Sequence, residues 1–387
     1  MNPSPIVIVG TGLAGYAVAR ELRRLDEQAE IAMFTLDEGH FYSKPMLSNG
    51  ISAGKDAVQL RAQAVDRMRE QLKAQVYAGS AIQAIDPACH QIMVAGQPVS
   101  YSKLVLALGA EPLRIPLQGN AADRVVSINT LDDYSALFSK LDGPKRITIL
   151  GAGLIGCEFA NDLARAGHTV SLVDPGPCPL SRLLPLQIGM LMRDALTGIG
   201  VKVYCDTVCV AVNDAEGPLQ LDLSGGIVEY ADIVISAIGL RPRTALAEQA
   251  GIAVDRGIIV NRHLETSAAD VYALGDCAQV SGTLLPYVMP IMQCAKALAL
   301  TLSGQRVPVN YAAMPIVVKT PAFPIAISPP MIADGDWVIE TMTETSIKAT
   351  YFNAANEATG FIVGRAHVNE HRKLAQSVPP WLEPMLG

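Results

Sequence analysis

The chain has 387 residues, of which 50% are hydrophobic and 17% are charged, a balance that excludes an intrinsically disordered protein. Its 37 acidic and 30 basic residues give a net charge of −7, which disfavours nonspecific binding of nucleic acid or of an anionic membrane. No apolar stretch reaches the roughly 18 residues that a membrane span needs. Seven cysteines, an odd number scattered widely, favour reduced thiols and a cytoplasmic location.

The first predicted elements are a β-strand, a glycine turn and a helix. The segment reads Pro5-IVIVGTGLAGYAVARELRRL, and Gly10, Gly12 and Gly15 have the Gly-x-Gly-x-x-Gly spacing. The first glycine permits a tight turn, the second lets the backbone approach a pyrophosphate, and the third lets the helix pack against the strand. The helix N-terminus offers free N–H groups to the phosphate. A second strand, Ile31-AMFT, follows, so the segment predicts a dinucleotide-binding βαβ unit.

The same pattern recurs further along the chain. The segment Lys145-RITILGAGLIGCEFANDLARAG carries Gly151, Gly153 and Gly156 at the same spacing, and the strand Thr169-VSLVD follows it. The first glycines of the two copies lie 141 residues apart, which is too far for a solenoid repeat. The sequence therefore predicts two separate dinucleotide-binding domains.

An acidic residue at the end of the second strand is expected to bind the ribose hydroxyls. In the second copy this residue is Asp174, 18 residues after Gly156, and its carboxylate favours NAD over NADP because it repels a 2′-phosphate. In the first copy the corresponding residue is Thr35, with Asp37 and Glu38 just beyond. Either Asp37 substitutes for the usual acid there, or the backbone binds the ribose.

Three short strands end in glycine: Lys103-LVLALGAEP, Asp232-IVISAIGLRPR and Asp270-VYALGDCA. Their order indicates that the second nucleotide unit is inserted into the first. After Pro308 the glycine turns stop, which indicates a small α+β domain. Four strand-like runs follow: Ile316-VVK, Trp337-VIETM, Ile347-KATYF and Gly360-FIVG. The predicted fold class is α/β, with two Rossmann-like dinucleotide-binding domains and this C-terminal domain. The predicted limits are 1–112 with 240–308 for the first domain, 113–239 for the second and 309–387 for the third.

These motifs, in this order, resemble the pyridine-nucleotide-disulfide-type flavoprotein reductases over nearly the whole chain. Tyr42-SKPMLS, Glu158 and Val318-KTPAFP are similar to the branch of rubredoxin and flavorubredoxin reductases, beside the ferredoxin reductases of oxygenase systems. The resemblance implies that the first unit binds FAD, that the inserted unit binds NADH, and that the third domain carries part of the flavin wall and the partner surface. It implies hydride transfer from NADH to FAD, followed by single-electron transfer to rubredoxin.

The resemblance also implies site residues. Lys44 and Glu158 are the catalytic candidates, expected to pair beside the flavin N5, although a lysine before proline is commonly a solvated loop charge. Asp276 is expected to bind the ribityl hydroxyls or to cap a helix, and Val288 to approach the flavin or to lie in the core. The FAD candidates are Gly10, Gly12, Leu13, Ala14, Gly15, Thr35, Asp37, Lys44, Ile82, Gly109, Glu158, Asp276, Val288 and Lys319, and the NAD candidates are Gly151, Gly153, Gly156, Asp174 and Gly239.

The cysteine spacing excludes a redox-active dithiol. Disulfide reductases of this type carry Cys-x4-Cys or Cys-x2-Cys, whereas the nearest pair here, Cys205 and Cys209, is Cys-x3-Cys on a strand-like segment. No Cys/His cluster has metal-ligand spacing, so no metal site is predicted and the iron is expected in the partner. Electrons are therefore expected to leave the flavin for a separate protein.

Several alternatives stay open. The acceptor is rubredoxin, or else flavorubredoxin or the ferredoxin of an oxygenase; a more distant alternative is a redox-sensing FAD/NAD protein. A membrane quinone reductase is disfavoured because prolines interrupt the last segment, Ser377-VPPWLEPMLG. Rubredoxins are acidic, so docking on a chain of charge −7 needs a local basic patch. We expect a monomer or weak dimer. The candidates for the patch are four residues near the C-terminus, Arg365, His371, Arg372 and Lys373, with Lys44 at the flavin mouth.

Overall fold

A computed structural model describes residues 4–382 of the protein. Its first sheet is parallel, and its β-branched and aliphatic strands are buried, as expected for a sheet covered on both faces. The helices Leu13–Leu25 and Val288–Leu302 pack against each other beside this sheet. In spatial order its strands are Val271–Ala273, Lys103–Leu106, Ile6–Val9, Ile31–Phe34 and Gln75–Tyr77.

The second sheet is also parallel and comes from the middle of the chain. The helix Leu154–Arg165 follows its central strand, and the helix Leu186–Gly198 precedes its edge strand. In spatial order the strands are Lys202–Tyr204, Thr169–Val173, Arg146–Leu150 and Ile233–Ser236. Both predicted βαβ units are therefore present, and the strand Val271–Ala273 returns the chain to the first sheet after the second is complete.

The third large sheet is antiparallel and lies in the C-terminal part of the described chain. The strand Ser346–Phe352 alternates buried and less buried residues, as expected where one face of a sheet packs against the core, whereas Ile325–Ser328 and most of Ala358–Arg365 are buried on both faces. The sequence predicts four of its strands and misses Ile325–Ser328, which follows a proline-rich turn. In spatial order the strands are Ile316–Val318, Ile325–Ser328, Ala358–Arg365, Ser346–Phe352 and Asp336–Met342.

Smaller elements join these sheets. Two antiparallel three-stranded sheets consist of Ile82–Asp86, Gln91–Val94 and Gln97–Ser100, and of Cys209–Asp214, Leu219–Leu223 and Ile227–Ala231. Two-stranded pairs are Phe41–Tyr42 with Arg61–Gln63, Ala110–Pro112 with Leu240–Pro242, and Ile258–Val260 with Ala278–Val280. The remaining α-helices are Ala57–Leu60, Val65–Leu72, Leu131–Phe138, Ala245–Gln249 and His371–Leu374. The 3₁₀ helices are Lys44–Asn49, Ala122–Arg124, Ser224–Gly226, Gly275–Cys277 and Val368–Glu370.

The architecture confirms the predicted class, two Rossmann-like α/β folds and a small C-terminal α+β fold. The numerical domain limits stay a prediction. Within residues 4–382, no helix is long and apolar enough to cross a membrane. Of the predicted proline-interrupted segment 377–387, residues 377–382 contain no helix, and residues 383–387 lie outside the described residues.

Candidate functional site

The first glycine turn joins the strand Ile6–Val9 to the helix Leu13–Leu25. Gly10 has φ +110°, a conformation that side chains rarely adopt, and a Cβ there would lie 2.2 Å from the Ala107 carbonyl oxygen. A Cβ on Gly15 would lie 1.9 Å from the Gly10 carbonyl oxygen, so the third glycine is needed for close helix packing. At Gly12, in contrast, a Cβ would meet no atom within 4 Å. This open position at a helix N-terminus fits a bound pyrophosphate.

The second glycine turn repeats this geometry. Gly151 has φ +103°, and a Cβ there would lie 2.6 Å from the Ala237 carbonyl oxygen. A Cβ on Gly156 would lie 1.8 Å from the Gly151 carbonyl oxygen, whereas a Cβ on Gly153 would meet no atom within 4 Å. The outer glycines are therefore fixed by packing, and the middle one leaves space for a second dinucleotide.

Two carboxylates lie at equivalent places beside the two turns. Asp37 accepts hydrogen bonds from the Thr35 hydroxyl at 2.8 Å and from the Thr11 hydroxyl at 3.3 Å. Asp174 accepts one from the Ala152 amide at 2.6 Å. Thr11 and Ala152 occupy the same position, between the first and second glycines of each motif. The sequence leaves Asp37 and the backbone as alternatives for the first ribose site; in the structure Thr35, at the corresponding position, is buried and Asp37 is exposed.

A lysine and an aspartate from distant parts of the chain approach each other near the first turn. Lys44 begins the 3₁₀ helix Lys44–Asn49, and Asp276 lies in the 3₁₀ helix Gly275–Cys277. Burial lowers the pKa of Lys44, an effect that the charge of Asp276 opposes, and burial raises the pKa of Asp276. Asp276 forms no hydrogen bond within residues 4–382, so its carboxylate is available to a polyhydroxyl chain such as ribityl.

The predicted ion pair between Lys44 and Glu158 is not formed between the described residues. Instead, Lys44 Nζ donates a hydrogen bond to Asn129 Oδ1 at 3.2 Å. Glu158 accepts one from the Ser48 hydroxyl at 2.5 Å and one from the Lys319 amide at 3.0 Å. The pairing was wrong because these hydrogen bonds hold the two side chains on different partners.

Glu158 is instead the junction of three regions. It lies in the helix Leu154–Arg165 and is only 7% exposed. The Lys319 ammonium donates to the Pro45 carbonyl at 2.8 Å, and burial lowers its pKa while the charge of Glu158 opposes that shift. The segment beginning at Lys44, the inserted nucleotide unit and the C-terminal sheet therefore meet at one carboxylate.

The same helix continues this junction one turn further along. Asp162 is 2% exposed and accepts hydrogen bonds from the Ile51 amide at 2.8 Å and from the amide and hydroxyl of Ser52. Asn161 accepts a hydrogen bond from the Ala322 amide at 3.1 Å. Burial raises the pKa of Asp162, and the hydrogen bonds from Ser52 and Ile51 oppose this shift.

The other predicted residues surround these groups. Ala14 is buried, and a Cβ on Gly275 would lie 2.8 Å from its Cβ, so the first turn and the Asp276 segment touch. Val288 is 41% exposed at the start of its helix, which disfavours the alternative of a core residue. The remaining candidates, which are neither fully buried nor engaged through side-chain hydrogen bonds, are Leu13, Ile82, Gly109 and Gly239. The cofactor-binding roles of all the site residues stay predictions.

Sequence reasoning missed several residues of this region. Asn129 and Ser48 contact Lys44 and Glu158, and Arg243 lies close enough that its charge lowers the pKa of Lys44. One local signal existed: Asn129 immediately precedes a helix capping box formed by Thr130 and Asp133. Nothing in that signal identifies a contact with Lys44, which lies 85 residues away.

The cysteines form no disulfide bond within residues 4–382. All seven are free, and Cys205 lies in the loop before the strand that Cys209 begins, so the expectation of one shared strand was wrong. Burial raises the pKa of Cys209 to about 11 and that of Cys277 to about 12, which disfavours thiolate chemistry. In the described part of the chain, no group of His, Cys, Asp and Glu residues could hold a metal ion.

Comparison with known proteins identifies the family. Residues 4–299 match the family described as pyridine nucleotide-disulphide oxidoreductase, and residues 308–378 match the rubredoxin binding C-terminal domain. The chain belongs to the pyridine nucleotide-disulphide oxidoreductase family. It is 43% identical to a rubredoxin-NAD(+) reductase of Alcanivorax borkumensis, covering 97% of this chain and 98% of that protein. It is 34% identical to a nitric oxide reductase FlRd-NAD(+) reductase of Vibrio vulnificus, covering 95% and 96%.

Solved structures of this family share the fold. The ferredoxin reductase for the CYP199A2 system from Rhodopseudomonas palustris has a TM-score of 0.88 at 25% identity, covering 97% of this chain and 95% of that one. The NADH:rubredoxin oxidoreductase from Clostridium acetobutylicum has a TM-score of 0.80 at 22% identity, covering 97% and 95%. The second likeness bears on the fold alone.

Proposed function

We propose that this chain is an FAD-dependent reductase that takes a hydride from NADH and passes single electrons to rubredoxin. The observation that carries the proposal is the combination, on one chain, of two nucleotide-binding folds with a region matching the rubredoxin binding C-terminal domain. The 43% identity to a rubredoxin-NAD(+) reductase over nearly the full length supports the same acceptor. The sequence has no Cys-x2-Cys or Cys-x4-Cys pair, which agrees with electron transfer out of the chain.

Bound FAD supplies the conversion of a two-electron donor into two one-electron steps. The chain's own residues bind and orient the nucleotides. The open backbone at Gly12 and Gly153 receives the two pyrophosphates, and Asp174 accepts hydrogen bonds from the NADH ribose. Asp276 has no hydrogen-bond partner in the described chain and accepts from the ribityl hydroxyls.

Lys44, Glu158 and Lys319 act where the nucleotide units meet. Lys44 supplies a half-buried positive charge that stabilises negative charge developing on the flavin. Glu158 holds Ser48 and the Lys319 backbone in place and presents a carboxylate between the two nucleotide sites. Its buried position, two residues beyond Gly156, keeps this carboxylate away from bulk water.

The acceptor is tested by steady-state turnover of the purified holoprotein with NADH and each carrier. We expect a kcat/KM for rubredoxin at least about tenfold above the values for flavorubredoxin and for an oxygenase ferredoxin. Faster reduction of either other carrier would overturn the choice of rubredoxin. The second candidate, flavorubredoxin, is supported by the 34% identity to a flavorubredoxin reductase. Slow flavin oxidation by every carrier would instead favour the redox-sensing alternative.

We propose a smaller basic patch near the C-terminus than the sequence predicts. The Arg365 guanidinium lies 5.1 Å from the centre of the Phe323 ring, and His371 Nδ1 lies 2.6 Å from the Val368 carbonyl, so both contact their own fold. Arg372 and Lys373 are exposed on the helix His371–Leu374. We propose that Arg372 and Lys373, rather than the whole predicted patch, contact the acidic rubredoxin.

Charge reversal tests this surface. We expect Arg372→Glu with Lys373→Glu to raise the KM for rubredoxin about fivefold at low salt and less at high salt, because steering by exposed charges is screened. Arg67→Glu, which reverses an equally exposed charge on the first nucleotide fold, is the control and should leave the KM unchanged. The measurement is rubredoxin reduction across a salt series. Equal effects of the two reversals would place the docking surface elsewhere.

Location and assembly are further proposals. The seven free cysteines agree with a reducing compartment, and we propose a cytoplasmic protein. We also propose a monomer or weak dimer, which the molar mass in solution would test.

A further inference from the structure

Lys44 is held by a residue that the proposed function does not include. Its ammonium donates to Asn129 Oδ1 at 3.2 Å, and it forms no other hydrogen bond or ion pair within residues 4–382. Asn129 is 6% exposed and lies just before the helix Leu131–Phe138. The cation thus depends on one buried neutral side chain from a different part of the chain.

The Asn129 amide is fixed in one orientation. Its Nδ2 donates to the Ala110 carbonyl at 3.1 Å, and its backbone amide donates to the Asp133 carboxylate at 3.0 Å. Because a carbonyl oxygen only accepts hydrogen bonds, the NH₂ group faces Ala110 and the oxygen faces Lys44. If this amide were flipped, its NH₂ group would face the ammonium and its oxygen would face the Ala110 carbonyl oxygen. Both contacts would be unfavourable, so the hydrogen-bond network determines the orientation.

Asn129 is uncharged, and this affects the net charge around Lys44. The charges that face Lys44 are those of Asp276, Asp37 and Asp133, which attract it, and of Arg243, which repels it. The amide oxygen of Asn129 fixes the position of the ammonium without adding a further negative charge. A carboxylate in the same place would form an ion pair and cancel the field of the cation at the flavin site.

We propose that Asn129 is a positioning residue that aims the Lys44 ammonium at the flavin site without adding a negative charge beside it. This inference rests on the proposed function, in which Lys44 lies beside the bound flavin. A cation held there favours the negatively charged reduced form of the ring, so Asn129 acts on the reduction potential through Lys44.

A double-mutant cycle tests the proposal with FAD and NADH alone. In single-turnover mixing, we expect Asn129→Leu to lower the rate constant for flavin reduction at least about fivefold and to shift the midpoint potential to a more negative value. In a Lys44→Met background, the same substitution should change the rate constant less than about twofold. Additive effects, or an unchanged potential in Asn129→Leu, would overturn the proposal.

Two further variants separate positioning from a structural role. Asn129→Asp keeps an acceptor for Lys44 but adds a negative charge. We expect this variant to fold and its flavin midpoint potential to become more negative. Asn161→Leu removes another buried asparagine, one that bonds to the Ala322 amide, and should lower stability without moving the potential. Equal potential shifts in Asn161→Leu and Asn129→Leu would contradict a specific role for Asn129.

Failure of the Asn129 proposal and failure of the proposed function give different results. A wild-type protein without flavin would overturn both proposals. A non-additive cycle in a protein that reduces no rubredoxin would support Asn129 as the positioning residue and reject only the acceptor.

Discussion

Single glycines determine whether this chain can form its nucleotide sites. Gly12 and Gly15 belong to the same turn, yet their neighbours differ, because an added Cβ at Gly15 would lie 1.9 Å from a backbone oxygen and one at Gly12 would meet nothing. Gly15 is therefore required by the apoprotein's packing, whereas Gly12 leaves open space where we propose that a pyrophosphate binds.

Alanine substitutions should separate these two requirements. We expect Gly15→Ala to lower the free energy of unfolding of the apoprotein by about 1–3 kcal/mol, because backbone must move to admit the methyl group. Gly12→Ala should change it by less than about 0.5 kcal/mol but weaken FAD binding at least about tenfold. Urea unfolding of the apoprotein and flavin titration measure the two effects. The idea fails if Gly12→Ala binds FAD like the wild type.

At the scale of elements, an exposed ion pair connects the turn before the strand Val271–Ala273 to the chain after the helix Val288–Leu302. Glu265 contacts Arg306 through two oxygens at 2.8 Å. The hydrogen bonds from Arg306 lower the pKa of Glu265 to about 2, although the arginine side chain is 60% exposed. Solvent screening therefore keeps the contribution of this pair to stability small.

This pair gives a defined pH dependence. Since the folded pKa of Glu265 lies below the unfolded value, its stabilisation is present above about pH 4.5 and is lost as the pH falls towards 2. Arg306→Met should lower the free energy of unfolding slightly at pH 7 and by less at pH 3. Unfolding in urea at both pH values is the measurement. A constant difference between wild type and variant at the two pH values would contradict this origin.

The element scale also shows how far the sequence is informative. Both glycine turns and their strands are predictable, because the pattern that specifies them lies within about 30 consecutive residues. The junction on the helix Leu154–Arg165 is not, because Glu158 and Ser48 lie 110 residues apart and share no local pattern. For the same reason the resemblance supplied Lys44 and Glu158 as residues but not their actual partners, Asn129 and Ser48.

At the scale of the whole molecule, the inserted nucleotide unit is fastened to the first by buried polar groups. The Asp162 carboxylate accepts from the Ile51 amide and from two groups of Ser52. Removing it leaves the buried Ile51 amide without a partner and breaks both bonds from Ser52, which costs more than the loss of an exposed charge.

We therefore expect Asp162→Ala to lower the free energy of unfolding by about 2–4 kcal/mol. Asp232→Ala, which removes a more exposed carboxylate paired with Arg146 inside one fold, should cost less than about 1.5 kcal/mol. Chemical unfolding of both variants gives the comparison. Similar losses of unfolding free energy in the two variants would contradict a special contribution of Asp162 to the junction.

The helix Leu154–Arg165 also limits how the molecule can move. Through Glu158, Asn161 and Asp162 it forms six hydrogen bonds to the segment 48–52 and to the C-terminal fold. Tilting the inserted unit as a rigid body would break all six together. We therefore expect NADH to enter and NAD⁺ to leave through side-chain movements, without the hinge opening common in two-domain enzymes.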